Sequence, residues 1–288
     1  MAAPPFRRIT IVGVGLIGGS LGLAARRADR SARVLGVDRP GVLRRACARG
    51  AVHAGTASLA RGLRDAELVV LALPVDGIVR LLPRVARLAP AHAVITDVGG
   101  TKVSVLRAAR RAGLEGRFIG GHPMAGSERS GVAHAVADLV RGAPWILCPC
   151  GDGRAYARVR RWVALLGARP VRLAAARHDE IAARLSHLPQ LLSVALVNVA
   201  ARGVAGGRDL RLAGPAFRQM SRLASSPPDL WRAILLTNRG PIARAVSDLV
   251  RELGRLRAGL GRGAAYRFRR AARARRGISV PGRRTGDG

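Results

Sequence analysis

RITIVGVGLIGGSLGLAARRA, residues 8–28, is the stretch on which the fold turns. Its first part, Arg8 to Gly13, is apolar and β-branched and predicts a buried strand. Gly13, Gly15 and Gly18 follow as GxGxxG and open a helix that runs to about Ala28, with Leu16 and Ile17 in its first turn. Glycines at these positions permit a tight turn, a close approach of backbone to a pyrophosphate, and close packing of helix on strand. The helix N-terminus offers its N–H groups to the phosphates. The motif alone is a weak signal, but its context strengthens it. A second strand, Arg33 to Val37, ends in Asp38, 20 residues past Gly18, where a carboxylate can accept hydrogen bonds from a ribose 2′-hydroxyl. A dinucleotide site built on Gly13, Gly15, Leu16, Ile17, Gly18 and Asp38 is therefore expected. Asp38 would repel a 2′-phosphate and so favours NAD, while Arg39 beside it leaves NADP open.

Strands and helices go on alternating, as in a parallel sheet with helical crossovers. LVVLALPV, Leu68 to Val75, is a fully buried strand whose end, Leu73-Pro74, falls on the nicotinamide side of the expected site. His92 to Thr96 forms the next strand and leads into DVGGTK, residues 97–102, which ends in Lys102, the only lysine of the chain. Where every other basic position is arginine, a retained lysine points to a need for a compact ammonium. FIGGHPMAGSERSG, residues 118–131, begins as a short strand that breaks at Gly120-Gly121. His122 comes next, kept extended by Pro123 and presented at a strand end, where open α/β sheets place their ligands. A helix near Val132 to Val140, a strand Pro144 to Cys148, a helix Arg154 to Leu166 and a strand Arg169 to Leu173 complete a Rossmann-like domain over residues 1–176.

Strand signals then stop. HDEIAARLSHLPQLLSVALVNVAA, from His178, reads as one long apolar helix kinked by Pro189, with Ser186, His187 and Gln190 on a shared face. That polar face is either a satisfied core network or the wall of a substrate pocket. Helical segments at 213–224 and 230–251 complete an all-helical domain over residues 177–254. Helices this apolar must cover one another, and a second copy of the same domain is the simplest partner, so a homodimer is expected. Residues 255–288, dominated by Arg, Ala and Gly, have little to bury and are expected to lack regular structure.

A chain of 288 residues has ample core for two such domains. The net charge of +33 would ordinarily point to a polyanion. Here almost all of it is arginine in a chain also rich in Ala and Gly, which reads as coding bias, and residues 254–288 carry eleven arginines against one acid. Nucleic acid is therefore not the expected partner. Cys47, Cys148 and Cys150 form no CxxC pair, which suits reduced thiols in a cytoplasmic protein, and no metal site is expected. The longest apolar run, Leu68 to Leu73, is too short to cross a bilayer, and the N-terminus passes straight into a strand rather than a signal-peptide core.

Taken together, GVGLIGGS, LALPV, DVGGTK, GGHPMAGSERSG, HDEIAARLSHLPQ and FRQMSRLASSPPDLWRAILLTNR, in this order over residues 8–240, resemble the prephenate and arogenate dehydrogenases of tyrosine biosynthesis. The resemblance implies an α/β fold with an N-terminal Rossmann-like dinucleotide-binding domain followed by an all-helical domain that binds substrate and dimerises. It also implies NAD(P)+-dependent oxidative decarboxylation of a small molecule, prephenate, to 4-hydroxyphenylpyruvate and CO2. By the same resemblance, His122 draws the substrate hydroxyl proton, Arg222 holds a substrate carboxylate, Glu128 pairs with that arginine, and Ser186 and His187 line the pocket.

Three positions depart from the family pattern. Gly100 stands where a serine is usual, leaving Thr101 or a water as the available hydroxyl. Gln190 replaces a histidine, and Gln219 an aspartate. The substrate is accordingly prephenate, arogenate or an amino-deoxy analogue. No tyrosine-sensing ACT domain is expected, since only the arginine-rich stretch follows residue 254. Two rival readings are a β-hydroxyacid dehydrogenase, which would want a lysine in the helical domain where this chain has none, and an arginine-rich nucleic-acid-binding protein that keeps a dinucleotide-sensing fold.

Overall fold

A computed structural model of the chain describes residues 4–127, 129–151, 153–203, 205–260 and 263–278. The glycine turn lies between β1 (Arg8–Val12) and α1 (Leu16–Ala28), as the spacing predicts. β2 (Arg33–Val37), α2 (Pro40–Ala48) and a short β3 (Ala54–Thr56) that the sequence pattern did not signal lie to one side. On the other side come α3 (Leu59–Leu63), β4 (Leu68–Leu71), α4 (Val75–Leu88), β5 (Val94–Asp97), α5 (Val103–Arg111) and β6 (Phe118–Pro123). β7 (Pro144–Pro149), α6 (Gly153–Leu165) and β8 (Arg169–Arg172) complete an eight-stranded sheet of order β3-β2-β1-β4-β5-β6-β7-β8.

All four residues of β4 are buried, because helices cover both faces of the sheet. α4 turns Val75, Ile78, Leu82 and Val85 inward at helical spacing. Two apolar clusters result, one on each face, containing Trp145 and Trp162 on one side and Leu71, Ile78 and Phe118 on the other.

The structure corrects the sequence reading in four places. First, the sheet is not wholly parallel: β7 runs antiparallel to β6, and β8 follows β7 in parallel. Second, β6 does not break at its two glycines but continues through them to Pro123, pairing Gly120 with Cys148, Gly121 with Leu147 and His122 with Ile146. The glycines serve packing instead, since a Cβ on Gly120 would strike the Leu106 side chain and one on Gly121 the carbonyl oxygen of Asp97. Third, the helix expected at 132–140 is only a 3-10 turn, Val132–His134, followed by irregular turns. Fourth, the 255–288 stretch, read as unstructured, contains α12 (Ala264–Arg276). Ala and Arg rank high in helix propensity, so this helix needs little burial, and Arg267 ties it back at 2.7 Å to Glu252.

After β8 no strand follows among the described residues. α7 (Ala175–Ala182) passes through a π-helical turn, Ala183–His187, into α8 (Leu188–Gly203). Pro189 lacks the N–H that a regular α-turn would use, and the wider turn just before it absorbs the defect without ending the helix. A 3-10 segment (Ala205–Leu212), α9 (Pro215–Ser221), a second 3-10 turn (Arg222–Ser225), α10 (Pro228–Thr237) and α11 (Arg239–Ala258) follow. The buried cluster of this half is small, built on Ala183, Ile242 and Ala245, while Val199, Met220, Leu236 and Val250 stand exposed. The described helices do not bury their own apolar faces within one chain. None is long and apolar enough to cross a membrane.

Candidate active site

The residues that chemistry would need gather at the C-terminal ends of the parallel strands. Gly13 ends β1 with φ +92, and a Cβ there would meet the carbonyl oxygen of Ala72. Gly18 lies against the Gly13 carbonyl, so a side chain there would force helix and strand apart. Gly15 differs: a Cβ on it would meet nothing within 4 Å, which leaves open space at the N-terminus of α1. Asp38 closes the other side, its Oδ2 accepting from Val14 N–H at 2.8 Å and its Oδ1 from Arg39 N–H at 2.7 Å. An open glycine cradle, a helix N-terminus with Leu16 and Ile17 in its first turn, and a fixed carboxylate at the end of the second strand fit a dinucleotide. Leu73 and Pro74 lie at the end of β4, with Pro74 exposed at the N-terminus of α4.

His122 sits in β6 with its ring half-buried. Its Nδ1 lies 2.8 Å from His178 Nε2, the two rings meeting edge-on with centroids 5.0 Å apart. Behind His178, its Nδ1 lies 2.7 Å from Asp179 Oδ1. Asp179 also accepts from the backbone N–H of Lys102 at 2.7 Å and of Val103 at 3.0 Å, at the start of α5. Burial pushes His122 well below the ordinary histidine range, and the neighbouring His178, Lys102 and His187 push it the same way. It is a neutral imidazole at physiological pH.

Lys102, singled out by composition, is fully buried and paired with the equally buried Asp97. The other contacts of Asp97 are the N–H of Gly99 at 2.8 Å to Oδ2 and that of Gly121 at 3.0 Å to Oδ1. One carboxylate thus fixes both the DVGGTK loop and the strand that carries His122. A compact ammonium fits this pocket where a guanidinium would not.

The remaining expected residues are placed as follows. Thr101 is buried, and its hydroxyl lies 2.9 Å from that of Thr237, which itself donates to the Ala233 carbonyl at 2.7 Å. Thr101 is therefore the donor to Thr237, and its proton is used within the protein. Nothing polar takes the place of the expected serine at Gly100, whose Cα faces the Ile234 side chain. Ser186 is half-buried in the π-helical turn. His187 is buried, 3.2 Å from Asn238 Nδ2 and edge-on to Trp231. Burial lowers it to about 4, with Asp179 opposing and His178 reinforcing the shift. Gln190 is buried as well, its Nε2 donating to the Leu223 carbonyl at 2.8 Å and its Oε1 lying 3.4 Å from Ser226 Oγ. It braces the 3-10 turn on which Arg222 stands exposed. Glu128 lies outside the described residues.

Sequence reasoning missed Asp97, His178, Asp179 and Asn238 as parts of this arrangement. The signal for two of them was at hand, since the adjacent His-Asp of HDEIAARLSH is the kind of pair that orients an imidazole. Asn238, at the corner between α10 and α11, donates to the Asp179 carbonyl at 2.8 Å and so ties that corner to α7. Among the described residues no cluster suited to a metal ion occurs.

Fold and site together define a two-domain dehydrogenase with a dinucleotide cradle in the sheet half and a buried polar seam between the halves. Residues 21–172 match the family described as prephenate dehydrogenase, nucleotide-binding domain, and residues 174–273 match prephenate dehydrogenase, dimerization domain. The chain belongs to the prephenate dehydrogenase family. The prephenate dehydrogenase of Bacillus subtilis is 33% identical over 265 residues, 86% of this chain and 69% of that protein. The crystal structure of prephenate dehydrogenase from Aquifex aeolicus in complex with hydroxyphenyl propionate and NAD+ superposes with a TM-score of 0.86 at 27% identity, covering 96% of this chain and 98% of that one. Synechocystis arogenate dehydrogenase gives 0.76 at 28% identity, covering 94% and 98%.

Proposed function

We propose that the protein catalyses the NAD+-dependent oxidative decarboxylation of prephenate to 4-hydroxyphenylpyruvate and CO2, working in the cytoplasm as a homodimer joined through its helical half. The observation that carries this reading is His122: a neutral imidazole towards the C-terminal end of β6, in the sheet that also bears the dinucleotide cradle, with one ring nitrogen engaged from behind and the other left for a substrate. Prephenate offers a C4 hydroxyl, a ring carboxylate and a pyruvyl carboxylate. The bound nicotinamide would supply the hydride acceptor. His122 draws the hydroxyl proton as C4 is oxidised and returns it to the phenol oxygen once the ring carboxylate has left, a positioned transfer that typically contributes about 10²–10⁴-fold in rate. Arg222 offers a planar fork for a carboxylate. His187, kept neutral, and Ser186 line the pocket wall.

Asp38 favours NAD+ over NADP+. Free thiols at Cys47, Cys148 and Cys150 suit a reducing compartment, and the exposed apolar residues of the helical half support a partner copy. The Gln190 amide is engaged at both ends within the protein. Nothing at that position therefore separates a keto from an amino side chain, and arogenate is the second substrate to assay. The test is the rise in NADH absorbance with prephenate and with arogenate, each with NAD+ and with NADP+. Turnover is expected with prephenate and NAD+, and silence in all four pairings would sink the reading.

A further inference from the structure

We propose that His178 and Asp179 form a positioning relay that fixes the tautomer of His122, and so decides which of its nitrogens faces the substrate. The inference deepens the proposed function and rests on His122 being its base. It answers a question raised by Gly100, where the serine that would orient the base is missing and the hydrophobic Ile234 side chain lies opposite.

The argument is one of donors and acceptors. Asp179 accepts two backbone N–H groups, Lys102 to Oδ1 and Val103 to Oδ2, as only an ionised carboxylate does well. Its Oδ1 is also 2.7 Å from His178 Nδ1, which must therefore carry a proton. With that one proton on Nδ1, the relay has His178 present a bare Nε2, 2.8 Å from His122 Nδ1, as an acceptor. His122 Nδ1 must supply that hydrogen bond, which leaves its Nε2 unprotonated, as a base needs. When His122 takes the hydroxyl proton on Nε2, its new charge is felt through His178 by the buried Asp179 carboxylate. The Asp179 end is anchored twice: the α5 N-terminus holds the carboxylate, and Asn238 donates to the Asp179 carbonyl at 2.8 Å. His178 and Asp179 are both buried, so solvent cannot supply the missing acceptor.

Two variants and two readouts test this. His178→Leu removes the acceptor, whereas His178→Gln keeps a carbonyl oxygen near the same place. Nitrogen-15 histidine spectra of the whole protein should show His122, identified by its loss in His122→Asn, as the Nδ1–H form in the wild type and in His178→Gln, and as the other form or a mixture in His178→Leu. In turnover, His178→Leu should lose about 10²-fold or more in kcat with KM for prephenate within about threefold, and His178→Gln should recover to within about tenfold of wild type. NAD+ affinity, read from tryptophan quenching, should be unchanged in both. An Nε2–H form of His122 in the wild type would overturn the relay, as would a His178→Leu enzyme that keeps kcat within threefold. Should His178→Leu not fold, a His178→Gln enzyme whose His122 is no longer the Nδ1–H form would overturn it equally. An Nδ1–H His122 in a wild-type protein that turns over neither substrate would uphold the relay and sink the proposed function.

Discussion

The two sides of His122 are built differently. Behind it, Asp97, Lys102, His178 and Asp179 are buried and pair with one another or with backbone N–H groups. The groups expected to meet ligands are open instead: a Cβ on Gly15 would meet nothing within 4 Å, and the Arg222 side chain is exposed. A group held by buried partners has its state fixed before any ligand arrives. The outer groups are free to adjust to a ligand. Substitutions behind the histidine should therefore act on rate and stability, and those in front on affinity and cofactor choice.

The largest effect is expected at the histidine itself: His122→Asn should lower kcat by about 10²–10⁴ with KM for prephenate changed by no more than a few fold. A purely KM effect would place His122 on the binding side and break the contrast. Next, Lys102→Met should remove about 3–5 kcal/mol of unfolding free energy in urea, because it leaves the Asp97 carboxylate buried without its counter-charge. Unchanged stability would mean that water reaches the seam.

His187 gives a pH signature. Its folded value of about 4 lies below the ordinary 6.5, so as pH falls from about 6.5 towards 4 the unfolded chain takes up a proton that the native protein refuses. Stability present above 6.5 should be lost across that window, by about 3 kcal/mol at most. His187→Gln should flatten this part of the stability curve, and a steepness equal to wild type would remove His187 as the cause. On the outer side, Arg222→Ala should raise KM for prephenate by about 10–100-fold with kcat nearly kept, the worth of one charged hydrogen bond. A fall confined to kcat would exchange its role with that of His122. The smallest effect is expected from Asp38→Ser, which should shift the NAD+ to NADP+ preference by about tenfold towards NADP+, since it removes the negative charge that would repel a 2′-phosphate. An unchanged ratio would mean that Asp38 does not read the ribose.

The sheet half was legible because its signals are local. Gly13, Gly15 and Gly18 lie within six residues, and the run from Leu68 declares a buried strand by composition, although the strand stops at Leu71 and Val75, expected to end it, opens α4 instead. Lys102 was legible for a different reason, since one lysine among arginines marks a pocket of particular size. What could not be read depends on separation in sequence. The contact between His122 and His178 spans 56 residues and that between Lys102 and Asp179 spans 77, and no periodicity reports them. Gly120 and Gly121 misled for a physical reason: they read as a chain break, yet they are there because Leu106 and Asp97 leave no space for a Cβ. Gln190, on a face read as either a satisfied core network or the wall of a substrate pocket, shows the same limit, because only the fold reveals that its amide reaches the carbonyl of Leu223.

The polar seam also crosses the line between the two family domains. His122, Lys102 and Asp97 lie within residues 21–172, whereas His178, Asp179 and Asn238 lie within residues 174–273. Neither half owns a complete set of proton donors and acceptors. The two are therefore best redesigned as one piece: a chimaera whose helical half lacks counterparts of His178 and Asp179 is expected to keep its dinucleotide cradle and lose the contact behind His122.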